Sequence, residues 1–300
     1  MRSVIVTLLV LAAVSAAGAR SGTANANRQT LVFDAVILQA GQGGPRGLKP
    51  GHVDSATGIL RDAAGHSAGR FSSTCVVLKT LAQNDALQRC TGSGVTSDGR
   101  LAYSGTVRAS ERTPTERISG GSGADRGAQG TITLYALSQT ETLASVAITP
   151  RPGVTLRTGA VARPGANAAF RTHADGVCAA AARRLATVRT FPFAVFDLRR
   201  PSPQMLPKVA GYYTGSHDAR PVLRALDRRL SALRQPPADR ALWSRLLAYR
   251  NAVVAAEDAA LRAAPAANVD AFVKAVRRGA AAERGSALSA LVFGATTCVL

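Results

Sequence analysis

Ile118-Ser119-Gly120-Gly121-Ser122-Gly123-Ala124-Asp125-Arg126-Gly127-Ala128-Gln129-Gly130-Thr131 carries five glycines in fourteen residues and leads directly into the β-branched run Gly130 to Leu137. Glycine has no Cβ, so it reaches positive φ and lets strands cross closely, as a barrel requires where it turns a corner. Strand-like runs lie on both sides: Gln29 to Ile37, Gly58 to Leu60, Ser72 to Leu78, Leu101 to Val107 and Leu143 to Ile148. Turn signals separate them at Asp62-Ala63-Ala64-Gly65, Ser97-Asp98-Gly99 and Gly120-Gly121-Ser122-Gly123. Seven or eight short antiparallel strands follow. With no long helix between them, a closed barrel or a sandwich is the natural way to hide the sheet edges.

The glycine-rich segment is similar to the "V-x-G-G-T-G-x-[FY]-x-x-A-x-G" stretch of dirigent proteins and bacterial allene oxide cyclase-like barrels. Gly51, Leu60, Asp62, Gly65, Gly69, Cys75, Cys90 and Gly99 stand upstream in the order of the bacterial exported members. The resemblance spans roughly Leu31 to Thr149. It implies an antiparallel eight-stranded barrel over residues 29–150, with Gly120, Gly121, Gly123, Gly127 and Gly130 as structural turn residues. It also implies a mostly apolar lumen with a few polar groups, used as an isomerase site or as a radical-guiding surface. Two positions depart from the pattern: Asp125 stands where an aromatic is usual, and Gln129 where plant members often carry Arg. Asp34, Asp54, Glu111, Glu116 and Glu141 are all candidate rim or lumen acids, and the sequence does not choose among them.

Ahead of the barrel, Val4 to Val14 is uncharged and leads to Ala17-Gly18-Ala19, an Ala-x-Ala cleavage pattern, so residues 1–19 are expected to be a signal peptide. That apolar run is shorter than the roughly 20 residues a spanning helix needs, and no membrane-spanning segment is expected. A secreted or cell-wall-associated protein follows. The formal charge of +19, nearly all of it Arg, would fall to +18 on loss of Arg2. Such a field attracts polyanions, although a solvated Ala- and Arg-rich helix exterior explains the same composition. Few aromatics interleave with the basic residues, which argues against nucleic acid.

Cys75, Cys90, Cys178 and Cys298 form an even set, which in an exported chain favours disulfides over metal or catalytic thiols. Three connectivities are open, and the change in composition between the halves selects Cys75 with Cys90 and Cys178 with Cys298. Residues 151–165, bounded by Pro152-Gly153 and Pro164-Gly165, read as a linker. From residue 166 to 300 the chain turns Ala-, Leu- and Arg-rich with helical spacing, beginning with Phe170, Ala174, Val177, Cys178, Ala181, Leu185 and Val188. Helices are expected from about Asn167, Ala219 to Leu233, Asp239 to Pro265, and Val269 to Leu291. Together they make a four-helix bundle-like domain, and the whole an α+β chain of two domains. This half resembles uncharacterised secreted actinobacterial helical domains through Phe170 to Cys178, Leu233 to Pro237 and Phe293-Gly294 to Cys298. The resemblance supplies no activity but supports the pairing of Cys178 with Cys298.

No nucleophile elbow, Walker A loop, His-Glu-x-x-His or dinucleotide fingerprint is present, so no catalytic residue can be assigned and no cofactor or metal is expected. His173 and Asp175, two apart on a helix, point to different sides. His52, His66 and His217 fall in loops. The arginine pairs 183/184, 228/229 and 277/278 read as solvated exteriors or as a surface for an anionic envelope polymer, and Trp243 and Tyr249 as packing residues. The expectation is a non-enzymatic exported protein whose barrel holds a small apolar ligand or partner. A barrel isomerase or cyclase and a filled-barrel interaction module are the alternatives.

Overall fold

The computed structural model describes residues 28–44, 47–82, 85–111, 113–137, 140–159, 167–188, 201–212 and 218–299. The expected signal peptide, the second half of the expected linker and His217 lie outside these residues. The chain divides into two compact units, one built on strands and one on helices.

The first unit is a closed barrel in which each strand pairs antiparallel with its neighbour in sequence. Its strands are β1 (Gln29–Gly43), β2 (Val53–Arg61), β3 (Ser67–Ala82), β4 (Asp85–Thr96), β5 (Gly99–Arg108), β6 (Thr115–Gly123), β7 (Gln129–Ala136) and β8 (Glu141–Thr149). β8 returns to β1 in the register Leu31↔Val146 and Phe33↔Ala144, which removes the open edge. Strand alternation sends Leu31, Phe33 and Ala35 inward with Leu60, Leu101, Tyr103, Ile118, Ile132, Val146 and Ile148.

The glycine run divides its labour. Gly120 and Gly121 continue the β5–β6 ladder opposite Ala102 and Leu101, and Gly123 closes it opposite Gly99, so the quartet is strand end rather than turn. A Cβ on Gly121 would run into the carbonyls of Asp125 and Arg100, so close approach, not reversal, requires glycine there. The reversal falls at residues 124–127. It is flanked by Gly123 at φ 67° and Gly127 at φ 74°. Gly130 stands at the start of β7.

Residues 154–159 pack on the barrel. Leu156 is 1% exposed within the barrel core. Its amide donates to Gln29 Oε1 at 3.0 Å, and the amides of Arg157 and Thr158 donate to Asp98 Oδ2 at 2.9 and 2.6 Å. Val32 N donates to Gly159 O at 2.8 Å. Cys75 and Cys90 face each other across β3 and β4 and are bonded.

The helical unit holds α1 (Ala168–Leu185), α2 (Leu206–Tyr212), α3 (Arg220–Ser231), α4 (Arg240–Ala263) and α5 (Val269–Phe293). Asn167 and Asn268 cap α1 and α5 by accepting from Phe170 N and Ala271 N. Gly294, at φ 84°, ends α5. The short α2 adds to the four helices that the spacing predicts. Pro207 sits in its first turn, where a missing N–H costs nothing, and Leu206 and Val209 bury against Ala260, Ala264 and Phe272. Trp243, fully buried, is the hub of an aromatic cluster, with Phe170 at 4.9 Å and Phe293 at 5.1 Å between ring centroids. Cys178 and Cys298 are bonded beside it. Tyr249 packs its ring over Gly285 of α5 while remaining 37% exposed.

Candidate functional site in the barrel

Register places polar groups inside the barrel. One row across the inner face runs Ser73, Gly92, Tyr103, Ile118. The adjacent row runs Cys75, Cys90, Gly105, then Glu116, Ile132, Val146. Glu116 shares its face with Ile118, two residues on in β6. The two larger polar side chains fit because glycines face them. The Tyr103 ring occupies the space a Cβ on Gly92 would need, and Glu116 Cγ lies 2.9 Å from where a Cβ on Gly105 would stand.

Glu116 is 3% exposed and its Oε2 has no hydrogen-bond partner. Burial holds its carboxyl above the ordinary carboxylate range, because an apolar surround disfavours the charged form. Burial pushes the Tyr103 phenol up to about 12 and the neighbouring Glu116 adds to the effect, while a hydrogen bond with Ser73 works against it. Tyr103 therefore keeps its proton at neutral pH. The arrangement is a barrel interior packed mainly with apolar side chains, in which one buried acid, one protonated phenol and one serine hydroxyl come together between β3, β5 and β6. It can donate hydrogen bonds to, or exchange a proton with, a polar atom on an otherwise apolar molecule.

Of the acids left open by the sequence, the structure brings only Glu116 to this cluster. Asp34 is buried but alternates to the opposite face of β1 from Phe33 and Ala35. Glu141 shares that outer face through its pairing with Val36. Asp54 stands opposite Cys75 at the head of that inner row, but its side chain is 42% exposed and lies 3.1 Å from His52 Nε2. Glu111 is exposed beyond the end of β5. Sequence reading missed Tyr103 and Ser73, and the signal available was Gly92 and Gly105 inside strands, which marks positions where a neighbour needs the room. His173 is exposed, and Asp175 accepts from Thr297 N at 2.9 Å. His66 bonds Asp62 within its own turn at 3.3 Å.

A further buried acid lies where the β6–β7 reversal meets the β4–β5 turn. Asp125 is 2% exposed, and burial together with the charge of Asp98 pushes its carboxyl up to about 6. Asp98 itself is held low by the amides of Thr158 and Arg157, which outweigh its own partial burial. Among the described residues no group of three or more His, Cys, Asp or Glu could hold a metal ion. No helix among them is long and apolar enough to cross a membrane.

No family model matches the sequence. No curated protein matches it either. Among solved structures it is similar to a pyocyanin demethylase at 18% identity, with a TM-score of 0.37 over 40% of this chain and 99% of that one. It is also similar to a Diels-Alderase from Streptomyces koyangensis at 14% identity, with a TM-score of 0.35 over 43% of this chain and 72% of that one. A pterocarpan synthase dirigent protein aligns at 16% identity, with a TM-score of 0.33 over 40% of this chain and 85% of that one. The closed eight-stranded barrel is the architecture expected from the sequence, and the chemistry of the site follows from its own geometry.

Proposed function

We propose that this is an exported binding protein whose barrel holds one small, largely apolar ligand against Glu116, Tyr103 and Ser73, while its basic helical unit associates with the cell envelope. The observation that carries the reading is the unpartnered Oε2 of Glu116, buried against the apolar core of the barrel. A buried polar atom without a partner costs free energy, and a ligand that presents a hydrogen-bonding atom to it recovers that cost. Export is supported by the amino-terminal pattern and by two disulfides with no free cysteine among the described residues. The deciding measurement is native mass spectrometry of the non-reduced secreted protein and of Glu116→Gln. A retained small-molecule mass in the parent, weakened in the variant, is the expected result. Clean protein masses from both would replace this reading with a filled barrel that serves as an interaction module.

A second reading, a barrel isomerase or cyclase, is favoured by one feature. Glu116 is biased toward its proton-bearing form and stands beside a protonated Tyr103, which is the pairing that general-acid assistance of a rearrangement needs. Turnover of a polyunsaturated epoxide or polyene probe that is lost in Glu116→Gln and falls as pH rises through the Glu116 titration would select it over binding alone.

A further inference from the structure

Charge is distributed unevenly over the helical unit. Two surface grooves of about 500 Å³ lie on it. The groove between α3 and α4 contains Arg224, Arg228, Asp227 and Asp258. Its two cations stand against two acids, and both acids are held in ion pairs: Asp258 with Arg224 at 2.6 Å, and Asp227 with Arg250 at 2.6 Å. The groove along α5 is different. It is lined by Lys274, Arg277 and Arg278 against a single acid, Asp270, with Val273 and Ala281 completing the wall. The three cations are exposed, and among the described residues none of them has an ion-pair partner. Spacings of three and four residues put them on one face of the helix.

We propose that this α5 face is the receptor for an anionic polysaccharide. Arginine's planar fork suits carboxylate, sulfate and phosphate groups alike, and three unpaired cations set along one face of α5 add locally to the field that the net charge of the chain creates. From Asp270 to Ala281 the strip runs about 16 Å along the helix, long enough for several sugar units. Insertion into a lipid surface would need large apolar side chains among the cations. The exposed residues of α5 here are Asp270, Ala271, Lys274, Arg277, Arg278, Ala280, Ala281 and Glu283. Single-stranded nucleic acid would need stacking aromatics, and this strip has none. The inference deepens the envelope association proposed above and is independent of what the barrel holds.

The test uses the full secreted chain and heparin as the polysaccharide probe, at about 0.15 M salt. Lys274→Gln/Arg277→Gln/Arg278→Gln is compared with an equally charged control, Arg183→Gln/Arg184→Gln/Arg229→Gln, both checked for the helical signal and for the parent's barrel ligand mass. The α5 variant is expected to lose at least tenfold in affinity and to show a shallower salt dependence, with the control close to the parent. Asp270→Asn, which removes the one opposing charge in the groove, is expected to tighten binding and keeps the test decisive if the triple variant does not fold. Equal losses in both triple variants would overturn the proposal in favour of diffuse charge. Tighter binding of the parent to phosphatidylglycerol vesicles than to heparin would overturn it in favour of a lipid surface. Because the barrel mass is followed throughout, failure here leaves the ligand reading of the barrel standing.

Discussion

At the scale of single residues the barrel contains a buried acid whose titration has consequences that can be measured. Asp125 titrates near 6 in the folded state, above its ordinary value of 3.8, because it is buried and faces the charge of Asp98. The folded protein therefore holds this proton more tightly than the unfolded chain does. Its contribution is fully present below about pH 4 and is lost as pH rises toward 6. Asp125→Asn is expected to match the parent at pH 4 and to exceed it at pH 7 by on the order of 2 kcal/mol in urea melts. A variant weaker than the parent at pH 7 would show that the carboxylate has a stabilising partner. Gly92 is the converse case, a residue defined by what it leaves empty. Its missing Cβ is the space the Tyr103 ring fills, so Gly92→Ala is expected to cost about 1–3 kcal/mol and to displace the phenol from Ser73. Thermal melts and the ultraviolet titration of Tyr103 check the two effects.

At the scale of elements the helices show which charges are structural. Asp227 of α3 and Arg250 of α4 form an ion pair at 2.6 Å, with side chains 10% and 7% exposed. Removing one partner strands the other in an apolar surround, so Arg250→Met alone is expected to cost about 3–5 kcal/mol. Arg250→Met with Asp227→Leu should recover most of that loss. Denaturant melts of the two variants decide the point, and equal destabilisation of both would mean that the pair contributes more than it costs to bury. Arg224 illustrates the opposite regime: its pair with Asp258 is half-exposed and worth at most about 1 kcal/mol. In the barrel the elements were only partly legible. Apolar and β-branched runs mark β1 and β8, whereas β4 and β6 hold glycines, serines and threonines: Gly92 of β4 leaves room for the Tyr103 ring, and Gly121 of β6 abuts the carbonyls of Asp125 and Arg100.

At the scale of the whole molecule each unit carries one cross-link, and the two enclose very different lengths of chain, with separations of 15 and 120 residues. In the loop-entropy account the first stabilises by about 3 kcal/mol and the second by nearly 5. Replacing Cys178 and Cys298 by Ala is therefore expected to lower the helical transition more than replacing Cys75 and Cys90 lowers the barrel transition, as followed by circular dichroism at two wavelengths. Much of this organisation follows from local sequence. Composition separates a strand half from a helix half, glycines at positive φ mark the reversal near Gly123 and Gly127, and asparagines mark the starts of α1 and α5, because turns, caps and periodicity depend on residues close together in the chain. The candidate site is not local. Glu116 is one of five acids that look alike in sequence, and Ser73, Tyr103 and Glu116 meet only because closing the sheet fixes the register of β3 through β6 around a common interior. The same holds for charge: the basic residues of the helical half look alike in sequence, and only folding pairs Arg224 with Asp258 and Arg250 with Asp227 and lines up Lys274, Arg277 and Arg278 along one groove. Short-range chemistry determined the elements. Long-range register and packing decided which of their side chains face one another, and with that where this protein can bind.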